Sequence, residues 1–275
     1  MITKKLSTKQ IDKHLNEINV KGYTCIKSFF SKKTIGTYLN LTNNIYRIYK
    51  ISKHIPKVWN SAKIIYNLQN KDLKYLKIIQ NNIFDRILKS KLNDPHFRNL
   101  DIAKSNYILN NFQARSSGNE KLFLHIDSGI PTGDVTTFLQ IAILLEPSNK
   151  SSGCTIVVPK SHKSKKFANR KIKSYKFLEG SPGDVFIWDG NLWHGSLPNE
   201  LGLNRWALIA TFSNWRFKQI FDIPRTLSQK FYKKLTIKEK ILLGYLGIPS
   251  NSEHDRVSSS IKVAHLKKNV KDFYK

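Results

Sequence analysis

Residues 123 to 129 read Phe123-Leu124-His125-Ile126-Asp127-Ser128-Gly129, and the fold turns on how this stretch is read. Side chains alternate between the two faces of a β-strand, so His125 and Asp127 stand side by side while Leu124 and Ile126 face the other way. An imidazole and a carboxylate are both costly to bury. Either they satisfy each other as an ion pair, or a third partner sits between them. The pair alone does not decide.

From about residue 105 the chain around this stretch is a series of short apolar or alternating runs. They cover Tyr107 to Ala114, Leu122 to Ile126, Phe138 to Leu145, Thr155 to Val158, Asp184 to Trp188 and Trp206 to Phe212. Most are bounded by Gly, Pro, Ser or Asn clusters, which is how strands are punctuated. Many short strands at this spacing predict an antiparallel sandwich or jelly roll. The first hundred residues instead show helical spacing, as in Ile35-Tyr38-Leu39, Ile45-Ile48-Tyr49 and Leu73-Tyr75-Leu76-Ile78-Ile79. The alternating run Gly22 to Ile26 is the exception and predicts a strand. After Pro224 helical periodicity returns, in Ile237-Ile241-Leu242-Tyr245-Leu246, and beyond Ser250 the polar composition predicts fraying. The expected architecture is a single mainly β domain with flanking helices (α+β). Residues 1–104 are largely helical, 105–225 form the jelly-roll core, and 226–275 are a helical C-terminal extension.

Composition narrows the function classes. No apolar run reaches the roughly 20 residues of a membrane helix, and the N-terminal residues lack the apolar stretch of a secretory signal. Cys25 and Cys154 form no CxxC pair, so neither a disulfide framework nor a zinc cluster is expected, and a cytoplasmic location is the default. The formal net charge of +28 invites a nucleic-acid reading. Only nine of the 47 basic residues are Arg, however, and the chain is rich in Lys, Asn and Ile, as codon bias in an AT-rich genome would make it. The expectation is therefore a small-molecule substrate, no specific nucleic-acid partner and no membrane span. An anionic substrate fits the charge.

The second half of the chain supplies the missing partner. Residues 180 to 196, Gly-Ser-Pro-Gly-Asp-Val-Phe-Ile-Trp-Asp-Gly-Asn-Leu-Trp-His-Gly-Ser, place a turn before a strand and a second turn before His194. A jelly roll brings distant strands together, so His194 can meet His125 and Asp127. Two imidazoles and one carboxylate with open positions are the facial triad of a non-haem Fe(II) oxygenase. A 2-oxo acid bound there needs a cation for its far carboxylate, and a planar guanidinium pairs both carboxylate oxygens. Arg205, just before the run Trp206 to Phe212, suits this role better than that of a surface arginine. Ser196, two residues after the histidine, is placed to donate to the same carboxylate.

These residues resemble the phytanoyl-CoA dioxygenase family of Fe(II)/2-oxoglutarate-dependent oxygenases. The likeness covers roughly residues 10 to 225. It runs through Asn19 to Ile26, His125-Ile126-Asp127, Ser152 to Lys163, Pro182-Gly183-Asp184-Val185, His194-Gly195-Ser196, Asn199 and Arg205. It implies a double-stranded β-helix (jelly roll, cupin-like) that uses Fe(II), 2-oxoglutarate and O2. It also implies iron ligands His125, Asp127 and His194, co-substrate anchors Arg205 and Ser196, and Gln140 lining the co-substrate pocket. Two positions depart from the family pattern: Ile126 stands where relatives commonly have Gln, and Lys160 stands at the usual Gly of a Pro-Gly-Ser-His turn. A carboxylate at Asp127, in place of Ala or Gly, favours hydroxylation over halogenation.

Other candidates receive structural readings. His162 belongs to packing or hydrogen bonding. His14, His54, His96, His254 and His265 lack partners at ligand spacing. Asp189 is expected to bond its own turn, and Trp188 and Trp193 to form core or pocket wall. Gln113 and Arg115 share one strand face, either lining the pocket or on a solvated edge. Two rival classes remain: a cupin-type isomerase or lyase that binds metal without 2-oxoglutarate, and a basic non-enzymatic binding module.

Overall fold

The computed structural model describes residues 3–49, 62–97, 104–250, 252–254, 256 and 259–267. The chain packs into two compact units. The first comprises Met1–Tyr66 with Phe112–Ala210, and the second Asn67–Asn111 with Thr211–Lys275.

The first unit opens with α1 (Thr8–Lys21), whose N-terminus is fixed by a reciprocal Ser7–Gln10 capping box. Gly22, at φ +88°, ends it in the left-handed conformation and turns the chain into β1 (Tyr23–Ile26). Helix α2 (Lys32–Tyr49) and strand β2 (Lys63–Tyr66) follow. Helices α3 (Leu68–Lys71), α4 (Lys74–Ile79) and α5 (Asn82–Leu92) belong to the second unit. The strands after them are β3 (Ile108–Ser116), β4 (Leu122–His125), β5 (Phe138–Leu144), β6 (Thr155–Val157), β7 (Lys176–Leu178), β8 (Val185–Asp189), β9 (His194–Ser196) and β10 (Trp206–Ser213). Helices α6 (Ile223–Thr226), α7 (Gln229–Tyr232), α8 (Ile237–Leu242) and α9 (Ser259–Lys267) complete the second unit. Helix α9 lies in the stretch expected to fray. There the buried Lys240 ammonium donates to the Leu266 carbonyl, 2.8 Å away, and takes up an orphan acceptor at the helix end.

The strands form two sheets, ordered β1-β8-β5-β10-β3-β2 and β4-β9-β6-β7. Apolar side chains from both meet in one core. Ala142, Leu144, Phe186 and Trp188 of the larger sheet pack with Val157 and Leu178 of the smaller. This is the expected jelly-roll arrangement. Strands β2, β7 and β9 carry no run long enough to be legible as strands. They form because neighbouring strands offer unpaired edges, as when β9 is paired on both sides by β4 and β6. Among the described residues no helix is long and apolar enough to cross a membrane.

Candidate metal centre

The pairing of β4 with β9 builds the site. His125 lies directly opposite His194 in the antiparallel register, and the two ring centroids are 4.2 Å apart. Gly195 makes this approach possible, because a Cβ there would run into the Leu122 carbonyl oxygen. The chain leaves β4 after His125, and the Asp127 and Ser128 amides both donate to the Gly190 carbonyl, at 2.8 and 3.1 Å. The turn between β8 and β9 thus holds Asp127 against the two histidines.

The ring orientations are fixed by carbonyls. His125 Nδ1 lies 2.9 Å from Phe123 O, and His194 Nδ1 lies 2.9 Å from Leu192 O. A carbonyl can only accept, so each Nδ1 carries the proton and each Nε2 is turned toward the cluster. His194 Nε2 is 3.2 Å from Asp127 Oδ2, and His125 Nε2 is 3.6 Å from Oδ1. One donor atom from each residue falls within 4.8 Å of the others. Burial opposes ionisation of Asp127, but the field of His194 and hydrogen bonds from both imidazoles outweigh it and hold the carboxyl well below its ordinary range. Burial likewise opposes charge on His194, and Asp127 outweighs it and raises the imidazole. Two Nε2 atoms aimed at one carboxylate form a donor set that fits a divalent transition metal with N and O preferences.

The surroundings sort the remaining candidates. Gln140 is buried and donates to Asp127 Oδ2 at 2.8 Å, so it meets the carboxylate itself. Trp188 Nε1 lies 3.4 Å from the same oxygen, and its ring centroid is 5.4 Å from that of His194. Ser196 is buried on β9, on the same face as His194. Arg205 is only 5% exposed. Its Nη atoms donate to Ser148 Oγ (2.8 Å) and Ser117 Oγ (2.6 Å), and its buried Nε has no hydrogen-bond partner. Among the described residues no carboxylate lies within ion-pair distance of it. Burial, aided by the nearby Arg115 cation, lowers its guanidinium to about 10. Gln113 and Arg115 are the only residues of β3 that are not fully buried; burial lowers the Arg115 guanidinium, and the Asp127 carboxylate opposes that shift. That places Arg115 inside the field of the site.

Two of the other candidates have hydrogen-bond partners in keeping with structural roles, whereas His14, expected to lack a partner at ligand spacing, lies 2.7 Å from Thr24 Oγ1. His162 is buried, with Nε2 3.2 Å from Asn19 O. Asp189 accepts from the Asn191 amide at 2.9 Å. Asn191 had no sequence signal, yet its side chain ties the loop after Asp127 to this turn, through Ser128 Oγ at 2.9 Å and the Thr132 amide at 3.1 Å. His54 lies outside the described residues.

The family model for phytanoyl-CoA dioxygenase (PhyH) matches residues 18–201, more than half of the chain. The chain belongs to the phytanoyl-CoA dioxygenase family. Among proteins of similar sequence, "Dioxygenase af480" of Aspergillus fumigatus is 29% identical over 170 residues, covering 54% of this chain and 53% of that one. "Uncharacterized protein Rv1501" of Mycobacterium tuberculosis is 28% identical over 109 residues, 39% of this chain and 40% of its own. The matches thus span less than two thirds of these relatives. HygX from Streptomyces hygroscopicus, solved with nickel and 2-oxoglutarate bound, superposes with a TM-score of 0.61 at 12% identity, covering 78% of this chain and 90% of its own. At that identity the likeness to HygX is one of fold. This phytanoyl-CoA dioxygenase family member therefore has the jelly roll that its strand pattern predicts.

Proposed function

We propose that the protein is a non-haem Fe(II)/2-oxoglutarate-dependent dioxygenase that hydroxylates an unactivated C–H bond of a small metabolite or sugar unit, anionic or phosphate-bearing. The observation that carries the reading is the convergence of His125, Asp127 and His194 with both Nε2 atoms turned inward. With iron bound, the centre supplies the oxidising chemistry, in which 2-oxoglutarate and O2 yield succinate and CO2 as the C–H bond becomes C–OH.

The chain's own residues do the rest. His125, Asp127 and His194 would hold the metal, one donor atom from each. The carbonyls of Phe123 and Leu192 keep each Nδ1 protonated, so each Nε2 stays available as a ligand. Gln140 and Trp188 engage Asp127 Oδ2 and orient the carboxylate. Arg205 provides the buried cation for the far carboxylate of 2-oxoglutarate, and its preorganisation by Ser148 and Ser117 leaves the guanidinium to receive an anion. Ser196 adds a hydroxyl on the His194 face. Phe186, Trp188 and Ile209 line the sandwich interior with apolar surface that excludes water.

Full-length protein incubated with Fe(II), ascorbate and 2-oxoglutarate should release succinate slowly even without primary substrate. Anaerobic Fe(II) plus 2-oxoglutarate should quench tryptophan fluorescence, since Trp188 sits against the centre. Asp127→Ala or His194→Ala with undiminished succinate release would sink the assignment. Metal binding that is indifferent to 2-oxoglutarate and to Arg205 would point to a cupin-type isomerase or lyase.

A further inference from the structure

Between Glu146 and Glu179 the chain carries no carboxylate side chain. It carries nine Lys or Arg residues there, from Lys150 to Lys176, and all nine are exposed. Residues 18–71 also lack carboxylates, but their ten Lys or Arg residues are spread over 54 positions, whereas here nine fall within 27. Outside this segment lysines do find carboxylates, as where Glu17 meets Lys21 at 3.2 Å. Among the described residues, no ion pair involves any cation of this segment. Aromatic rings take that place, with Lys150 Nζ 4.3 Å from the Phe177 ring centroid and Arg170 5.8 Å from that of Phe123.

The segment includes the loop from β6 to β7, and that loop touches the neighbours of all three proposed ligands. Lys166 O accepts from Trp193 Nε1 at 3.1 Å, one residue before His194. Arg170 covers Phe123, two residues before His125. The Lys165 stem lies where a Cβ on Gly133 would be, in the loop leaving Asp127. Exposed apolar side chains accompany the cations, with Phe123 57% and Phe167 65% exposed.

We propose that this loop is the recognition surface for a multiply charged phosphate group of the primary substrate, held outside the pocket while the reacting carbon enters. The inference rests on the oxygenase reading, narrows its substrate to a phosphate-bearing one and assigns the surface that recognises it. Arg205 already serves the co-substrate, so the rim cations are surplus to it. One carboxylate would neutralise a single lysine. A phosphate carries about −1.5 to −2 charges with several acceptor oxygens, and lysines bind phosphates as point charges. Phe123 and Phe167 offer contact for the apolar body of the same molecule.

The test uses calorimetric titration of the full-length protein with inorganic tripolyphosphate, without added metal. Saturable binding is expected, weakening as salt rises. The charge reversal Lys165→Glu/Arg170→Glu should weaken it by about tenfold or more, and the neutralised Lys165→Gln/Arg170→Gln by less, which covers a failure of the first variant to fold. Lys230→Glu/Lys233→Glu, which reverses the same number of charges on exposed cations outside this loop, should change it less than about twofold. Equal weakening by that control pair would reduce the effect to net charge and overturn the proposal, as would absence of saturable binding. A single-stranded thymidine oligonucleotide of matched charge that binds tighter than tripolyphosphate would also overturn it, in favour of a polymer. Protein that releases succinate without binding tripolyphosphate defeats this inference alone. Protein that binds tripolyphosphate without succinate release defeats the oxygenase reading.

Discussion

A buried guanidinium hydrogen-bonded to two serines is an unfinished ion pair. On the proposed reading Arg205 bears that cost for an anion, toward which Ser148 and Ser117 would hold its fork. Arg205→Lys keeps the charge but loses the planar fork. Steady-state succinate assays should therefore show the KM for 2-oxoglutarate rising about 10- to 100-fold with a smaller change in kcat. An unchanged KM would remove Arg205 from the co-substrate site. Lys160 is a second informative residue. It takes φ +68° at the family's usual glycine position, where a side chain clashes with its own backbone. Lys160→Gly should stabilise the protein by about 1 kcal/mol, read as a higher denaturation midpoint. The convergence of His125, Asp127 and His194 was legible at this scale because imidazole and carboxylate are conspicuous on an apolar strand. The contact of Gln140 with Asp127 was not, since it depends on the register of β5 against β8, which no local pattern specifies.

Strand β9 is only three residues long, yet the site depends on it. Its sequence His-Gly-Ser has no alternation to read, and it is a strand only because β4 and β6 flank it. Adding one methyl group in Gly195→Ala should force β4 and β9 apart, costing about 1 to 3 kcal/mol. His125 would withdraw from His194, so Fe(II) affinity measured by tryptophan quenching should fall together with stability. Retained affinity in a destabilised protein would show that the pairing does not set the ligand spacing. The turn before β8 makes a comparable case for pH. The buried Asp184 accepts from Lys27 Nζ (2.9 Å), Ser28 N (2.7 Å) and Ser181 N (2.9 Å). Burial alone would raise its carboxyl, but these partners hold it below the ordinary 3.8. A depressed folded-state value means this stabilisation is present above the unfolded value and is lost as pH falls through the folded one. Asp184→Asn should cost about 2 kcal/mol near neutrality. Its stability should also change less than the wild type's as pH drops below about 4.

At the scale of the whole chain, charge works against compactness. With 47 basic and 19 acidic residues the excess is +28, and repulsion among exposed lysines opposes folding. The ion pairs do not offset it. The better ones, Lys27–Asp184 at 2.9 Å and Arg216–Asp94 at 2.8 Å, each place a buried carboxylate against a largely exposed cation. Salt weakens such half-buried pairs less than it weakens surface repulsion, because screening acts over about 10 Å at 0.1 M in solvent. The sign was therefore readable from composition. The clustering on the β6–β7 loop was not, because it matters only once that loop lies beside Trp193 and Phe123. Thermal melts in increasing sodium chloride, chosen because chloride is a weaker structure-stabilising anion than sulfate, should show the midpoint rising. A gain of about 1 kcal/mol corresponds to roughly 2 to 4 °C for a chain of this size. A midpoint that falls with salt would mean that attractive pairs dominate the surface. In that case Lys165→Glu/Arg170→Glu, which adds carboxylates to a segment without any, should leave the melt unimproved. If repulsion dominates, the same variant should melt higher than the wild type at low salt and match it once the field is screened.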